Sequence, residues 1–410
     1  MKEITRVQKF REYGLGLFIH YGLYNQLEKG EWYQEMYKLT TQEYLSLFSN
    51  FSELNLQLNI KKIVSFAKEN NFKYIVFTTK HHDGFALYDS KKISSYDITM
   101  TKTRDIVKEF IAECNRQQIE PFLYYATWDW SNPKYNDDFD EYLEYMHKNI
   151  EYLCKEYKNV KGYWFDGNWN RKEADWKEDR LYKIIRKYNP EAMIINNSGL
   201  ANAGKEQHPE VDSITFEQGH MKKVDYTVFS RDLAAETCQT FNDHWGYAKE
   251  DYNYKSVKDL ISKFLTARKQ KANYLLNLSV DKNGELIPLE IETVKIFNKW
   301  VNNYGYSLIG NYDLVSVSEE DFIIKKNKDY YIFLYNVITG GHVKKIQFGG
   351  NFQEERKYNL DKNIRIKSIK YLDNSDPVEY EIDERIIKLR MKSFDYGINT
   401  IVRVIKMEEE

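Results

Sequence analysis

Two textures alternate along the first 300 residues. Short apolar runs rich in β-branched and aromatic residues alternate with longer charged runs whose apolar positions recur at helical spacing. The short runs lie at 14–22 (GLGLFIHYG), 74–79 (YIVFTT), 119–126 (IEPFLYYA) and 160–166 (VKGYWFD). They continue at 192–197 (AMIINN), 212–217 (DSITFE), 236–241 (ETCQTF) and 273–279 (NYLLNLS). Near-continuous apolarity over so few residues predicts strands buried on both faces, as in parallel sheets. Helical periodicity appears between them: 60–70 places Ile60, Ile63, Val64, Phe66 and Ala67 on one face, and 104–117 repeats Ile106, Val107, Phe110, Ile111 and Cys114. Further amphipathic stretches run through 139–157, 173–188 and 257–270, and 288–304 opens on Pro288, a residue suited to a first helical turn.

Eight strands alternating with helices predict a (β/α)8-like TIM barrel. The stretch between the sixth and seventh runs is irregular, so some barrel helices are expected to be short or missing. Beyond Gly310 the texture changes to short alternating runs such as DFIIKK, YYIFLYNV and TIVRVIKM, which predict an antiparallel β-sandwich. The expected organisation is a barrel over 1–305 and a β-sandwich over 306–410. Tyr330, Tyr331 and Tyr335 lie in one such run, where core packing is the expected role.

Composition narrows the function. The chain has 410 residues, with 60 Lys+Arg against 62 Asp+Glu, a near-neutral balance that argues against a nucleic-acid binder. No apolar run approaches a membrane span. Charges recur through the first dozen residues, which predicts no signal peptide, and three widely spaced cysteines (Cys114, Cys154, Cys238) do not form a disulfide framework. The expectation is a cytoplasmic protein. The 34 Tyr, 22 Phe and 8 Trp are an unusual number; core packing is the expected role of most, although Tyr and Trp also form platforms for sugar rings.

A barrel carries its active site at the C-terminal strand ends. There the sequence places His20, His81-His82-Asp83, Tyr124-Tyr125, Trp164-Phe165-Asp166, Asn196-Asn197, Glu217 and Glu236, with Trp245 following the seventh run. Each has a bland reading: a lone His is usually structural, Asp-Gly is often a turn, and Glu236 could be a salt-bridged barrel residue. Their convergence at one rim points to chemistry. Two carboxyl groups among aromatic walls and imidazoles suit glycoside hydrolysis, one attacking the anomeric carbon and the other protonating the departing oxygen. A metal site built from His20, His81 and His82 fits less well, because no metal-binding spacing is present.

The ordered segments GLGLFIHYGLY, GEWYQEMY, KYIVFTTKHHDGFALYDS, RDIVKEFIAEC, LYYATWDW, YWFDGNW, ETCQTFNDHWGY and ANYLLNLSVDKNGELIP resemble the glycoside hydrolase family 29 α-L-fucosidases over nearly all of residues 8–305. The resemblance implies an exo-acting, retaining hydrolase of fucosylated oligosaccharides or small fucosides, working without metal or cofactor. It implies Asp166 as nucleophile and Glu217 as acid/base, with Glu236 as the alternative acid/base. It implies substrate contacts from His20, Glu31, Trp32, His81, His82, Tyr125 and Trp164, with Trp245 walling the sugar's methyl group. Nucleic acid and membrane are not expected partners, and a homo-oligomer is compatible with the family.

Several positions depart from the family pattern: Tyr21, Ser198 in place of a frequent Arg, Ala235, Lys271-Ala272 and Ser279-Val280. The Ser198 departure motivates a second expectation, an exo-glycosidase of another L-configured or fucose-like sugar. A third is a fucose-binding protein that has lost catalysis, against which both carboxylates speak.

Overall fold

Each of the eight apolar runs forms a strand: β1 (Leu15–Ile19), β2 (Tyr74–Lys80), β3 (Glu120–Ala126), β4 (Gly162–Asp166), β5 (Met193–Asn197), β6 (Ser213–Glu217), β7 (Ala234–Gln239) and β8 (Asn273–Leu278). The computed structural model describes residues 5–197, 203–219, 221–318, 320–340 and 353–410. The strands pair in parallel in chain order, and β8 returns to β1 to close the barrel. Amphipathic helices follow at Ile60–Glu69, Ile106–Gln117, Phe139–Glu156, Glu178–Tyr188, Val257–Lys269 and Pro288–Trp300. Asn59, Asp105 and Asp138 cap the first three, each side chain accepting a first-turn N–H. Two helices are shorter than their periodicity predicts. The one expected from 173 starts at Glu178, after a turn that leaves Lys177 left-handed, and the one expected to reach 304 ends at Trp300 in a π-turn over Val301–Gly305. As expected, the barrel helices are incomplete: between β6 and β7 the described residues hold only the 3-10 turn Tyr226–Val228.

Strand parity decides what enters the barrel. Phe18, Tyr74, Val76, Phe122, Tyr124, Trp164, Met193, Ile195, Ala234, Cys238 and Leu275 form one buried cluster, drawn from one parity of every strand but β6. Gly16 belongs to this pattern. A Cβ there would lie 2.2 Å from the Tyr74 ring, so glycine makes room for an aromatic side chain across the barrel.

A further element closes the other end. Helix Thr5–Tyr13 precedes β1, so it lies at the N-terminal mouth of the strands, and its Val7 and Phe10 join the interior cluster. The Phe10 ring lies 5.2 Å from Tyr74 and 5.6 Å from Phe122, centroid to centroid. Its polar side chains pin it in place. Arg6 makes two bonds to Asp212 at 2.9 and 3.0 Å, Arg11 reaches Asp232 and the Leu233 carbonyl, and Asn273 donates to the Phe10 carbonyl at 2.6 Å.

The chain divides into two compact units, Met1–Ser256 with Thr266–Lys295, and Val257–Leu265 with Ile296–Glu410. The second holds a five-stranded antiparallel sheet in the order β13 (Ile366–Tyr371), β16 (Arg403–Glu409), β11 (Asp329–Leu334), β10 (Phe322–Lys326), β9 (Asp313–Val317). A three-stranded sheet runs β12 (Gln353–Asn359), β15 (Ile386–Lys392), β14 (Glu379–Asp383). Alternate residues of both sheets, among them Ile332, Leu334, Leu389, Met391 and Ile405, form one core. Tyr330 and Tyr331 are buried, in line with a packing role. Among the described residues no helix is long and apolar enough to cross a membrane.

Candidate active site

Inward parity runs to the strand ends, and the last inward residues are polar. β4 points Trp164 and then Asp166 into the barrel, β5 ends on Asn197 and β6 on Glu217. With His20 after β1 and His81 and His82 after β2, these residues line a small cavity together with Trp32, Tyr124, Trp169 and Trp245. A register shift between Thr78 and Lys80 re-aims the end of β2, where both histidines follow.

Asp166 is the most heavily coordinated group. Its Oδ2 accepts from the Tyr124 hydroxyl at 2.9 Å and its Oδ1 from the Trp169 indole at 2.9 Å. His82 Nε2 lies 3.3 Å from Oδ2, while His82 Nδ1 donates to the Trp128 carbonyl at 2.8 Å. Both ring nitrogens thus face acceptors. Burial would raise the Asp166 pKa, but the hydrogen bond and charge of His82, then the Trp169 and Tyr124 bonds, hold it below the usual carboxylate value. Gly167 allows the turn that follows, since its φ is +114° and a Cβ would lie 2.6 Å from the Trp128 nitrogen.

Glu217 faces the opposite condition. Burial and the neighbouring Asp166 charge push its pKa up to about 7, and the Asn197 bond offsets this only in part. Asn197 links the two acids: its Nδ2 donates to Glu217 Oε2 at 2.6 Å and to Asp166 Oδ1 at 3.3 Å. Those two oxygens are therefore no farther apart than the sum of these distances. That bound, set by one oxygen of each carboxyl, accommodates the roughly 5–5.5 Å separation of retaining pairs.

The remaining expected residues divide. His20 donates from Nδ1 to Asn277 Oδ1 at 2.8 Å, and Asn277 is oriented by donating from Nδ2 to the Trp245 carbonyl at 2.7 Å. Burial lowers the His20 pKa to about 3, so the ring is neutral and Nε2 keeps its lone pair. His81 stacks on Tyr124 at 5.7 Å, and burial likewise lowers its pKa. Trp32, Trp164 and Trp245 line the cavity. Glu31 does not: it accepts from the Gly246 N–H at 2.8 Å and so anchors the loop that carries Trp245. Among the described residues no group of three or more His, Cys, Asp or Glu side chains is arranged to hold a metal ion.

Besides Glu31, two placements differ from expectation. Tyr125 is not in the cavity. It points outward, its ring 4.6 Å from the Lys80 ammonium, and Tyr124 takes the inward place because side chains alternate along β3. Glu236 points inward one layer too deep, two residues before Cys238. Its carboxyl accepts from the Trp164 indole at 2.8 Å and from the Tyr74 hydroxyl. Burial raises its pKa to about 7 as well, so position rather than acidity separates it from Glu217. Ser198 lies outside the described residues. Sequence reasoning placed Tyr124 and Asn197 at the rim but chose Tyr125 over Tyr124 and gave Asn197 no bridging role; Trp169 it missed.

The loop after β3 is held by a buried ion pair. Lys80 Nζ lies 2.9 Å from Asp129 Oδ2, and Asp129 Oδ1 accepts the N–H groups of Ser131 and Asn132 at 2.9 and 3.1 Å. The Trp130 N–H donates to the His82 carbonyl at 2.8 Å. The ion pair thereby fixes the loop on which His82 depends.

Comparison with known proteins places these features. The family model described as alpha-L-fucosidase matches residues 2–306. Alpha-L-fucosidase isoenzyme 1 from Paenibacillus thiaminolyticus superposes with a TM-score of 0.81 at 24% identity, covering 99% of both chains. An alpha-L-fucosidase from Bacteroides thetaiotaomicron, trapped as a covalent intermediate with 2-fluoro-fucosyl fluoride, superposes with a TM-score of 0.79 at 23% identity, covering 100% of this chain and 97% of that one. Alpha-L-fucosidase 1 of Arabidopsis thaliana is 23% identical over 273 residues, 60% of this chain and 52% of that protein. The chain thus spans about half the length of that relative.

Proposed function

The chain belongs to the alpha-L-fucosidase family, and on that premise we propose that it is an exo-acting hydrolase of terminal α-L-fucosides that retains anomeric configuration. The observation that carries this reading is the Asn197 amide forked between Asp166 and Glu217. It supports a carboxyl spacing suited to covalent attack, and the two acids start in the protonation states that such attack needs.

In the first step an Asp166 oxygen attacks the anomeric carbon while the bond to the aglycone oxygen breaks. The Glu217 proton passes to that oxygen, and the aglycone leaves as a neutral alcohol. Glycosylation removes the Asp166 charge, which is one cause of the raised Glu217 pKa, so Glu217 becomes a competent base. In the second step Glu217 takes a proton from water, whose oxygen attacks the anomeric carbon and releases the Asp166 carboxylate. Fucose departs and Glu217 is again protonated. His20 Nε2 supplies an acceptor for a sugar hydroxyl, and Trp245 with Phe18, 5.7 Å apart, supplies an apolar wall for the methyl group.

The test is hydrolysis of an aryl α-L-fucoside by the wild type and by Asp166→Gly and Glu217→Gly, with and without azide. Azide rescue of Asp166→Gly as β-fucosyl azide, and of Glu217→Gly as α-fucosyl azide, is the expected pair of products. An Asp166→Gly variant with undiminished activity, or a wild type inert on the fucoside, would sink the reading. Preference for an L-galactoside over the L-fucoside would move the substrate to another L-sugar.

A further inference from the structure

Beside the catalytic cavity lies a larger cleft of about 1050 Å³, bounded by the loops after β4 and β5 and the start of helix Phe139–Glu156. Trp169, whose indole binds Asp166, forms part of the lining of both. The cleft therefore adjoins the cavity that holds Asp166 and Glu217. Its volume lies at the top of the range of about 300–1,000 Å³ typical of small-molecule sites, more than one sugar ring requires.

Two buried polar groups in its wall have no protein partner. His147 is 1% exposed and neither ring nitrogen is hydrogen-bonded; Asn196 is 1% exposed and its Oδ1 is unpartnered. The rest of Asn196 is fixed, because its Nδ2 donates to Glu178 at 3.1 Å and to the Tyr182 hydroxyl at 3.0 Å. Buried polar atoms left without partners are costly unless a ligand or solvent satisfies them. Burial lowers the His147 pKa to about 4, so the ring is neutral and presents one donor and one acceptor, a match for hydroxyl groups rather than for a charged ligand. The charged part of the lining has eight carboxylates against three cations. Carboxylates accept hydrogen bonds from hydroxyls and repel anions.

Resting on the fucosidase reading, we infer that this cleft seats the leaving group, and that it accepts a neutral, hydroxyl-rich oligosaccharide and disfavours one carrying a carboxylate or sulfate. The lining commits to no particular linkage. What it selects is the charge and hydrogen-bonding character of the sugar to which fucose is attached.

The experiment compares kcat/KM on three probes: an aryl α-L-fucoside, neutral fucosyl-lactoses (the 2′ and 3 isomers), and a sialylated 3-fucosyllactose. The variants are His147→Leu and the charge reversal Asp140→Lys/Glu144→Lys. Neither touches the catalytic groups, so the aryl fucoside reports folding and chemistry. In the wild type the neutral oligosaccharide should exceed its sialylated counterpart by about tenfold or more. His147→Leu should lower the fucosyl-lactose value by about tenfold while leaving the aryl fucoside within about twofold. The charge reversal should narrow or invert the preference against the sialylated probe. Parallel changes on all probes, no change on any, equal wild-type rates on neutral and sialylated substrates, or no wild-type activity on any fucosyl-lactose would each overturn the inference. Those results leave fucosidase activity standing if the aryl fucoside is cleaved. A wild type inert on the aryl fucoside as well would remove the reading on which the inference rests.

Discussion

One amide nitrogen shared by two carboxyl groups makes Asn197 the residue whose loss is most informative. The proposed mechanism requires Asp166 charged and Glu217 protonated. The depressed Asp166 pKa keeps the first condition down to low pH, and the raised Glu217 pKa keeps the second up to about pH 7. We therefore expect kcat/KM to hold steady below that point and to fall about tenfold per pH unit above it. Asn197 donates to the charged form of Glu217 and so lowers its pKa. Asn197→Ala should cut the rate and, at the same time, move the alkaline limb to higher pH. A pH–rate profile checks both, and a limb that stays fixed or moves down would contradict the bridge. The adjacent tyrosines offer a second test. Tyr124→Phe removes a donor from the nucleophile and should lower kcat/KM by about ten- to a hundredfold, whereas Tyr125→Phe should leave kcat near wild type. Sequence alone could not separate this pair. A strand buried on both faces shows no polar alternation, so nothing in LYYA sets the parity. Asp166 and Glu217 stood out as carboxylates ending apolar strands, but a turn explains an Asp-Gly equally well, and it was the family resemblance that implied their roles.

At the scale of elements, the eight strands and most helices were legible from periodicity, and the helix at Thr5–Tyr13 was not. Only Val7 and Phe10 of its nine residues are buried, too few to mark a face, and its charged residues read as solvated. They are instead the clamps that hold it against the barrel through Asp212 and Asp232. Phe10→Ala should therefore cost about 3–5 kcal/mol of stability, since it empties a site packed by Tyr13, Tyr74 and Phe122. Urea unfolding measures that loss. The activity of the molecules that remain folded should be unchanged, because the helix lies at the far end from Asp166; a fall in kcat without a fall in stability would refute this division of labour. The short connection between β6 and β7 was legible as irregularity, yet what replaces a helix there could not be read from composition.

For the molecule as a whole, strand–helix alternation followed by a β-rich segment was enough to specify the architecture, and the ordered motifs were enough to specify the family. Charge shows the limit of that reading. A net charge of −2 conveys nothing of the acid-rich cleft, because those carboxylates are scattered between 138 and 206 and meet only through folding. The Phe10 helix has one more consequence. Among the described residues the floor of the barrel is packed by Val7 and Phe10, so traffic to the cavity passes not through that end but by the doorway at the C-terminal strand ends. In the proposed mechanism the aglycone leaves by that doorway before water attacks the fucosylated Asp166, so a small alcohol entering the same way competes with water. Methanol at molar concentration should therefore divert fucose into methyl α-L-fucoside. Released aryl alcohol would then outpace free fucose, and the gap between the two products would measure how often the alcohol arrives before water.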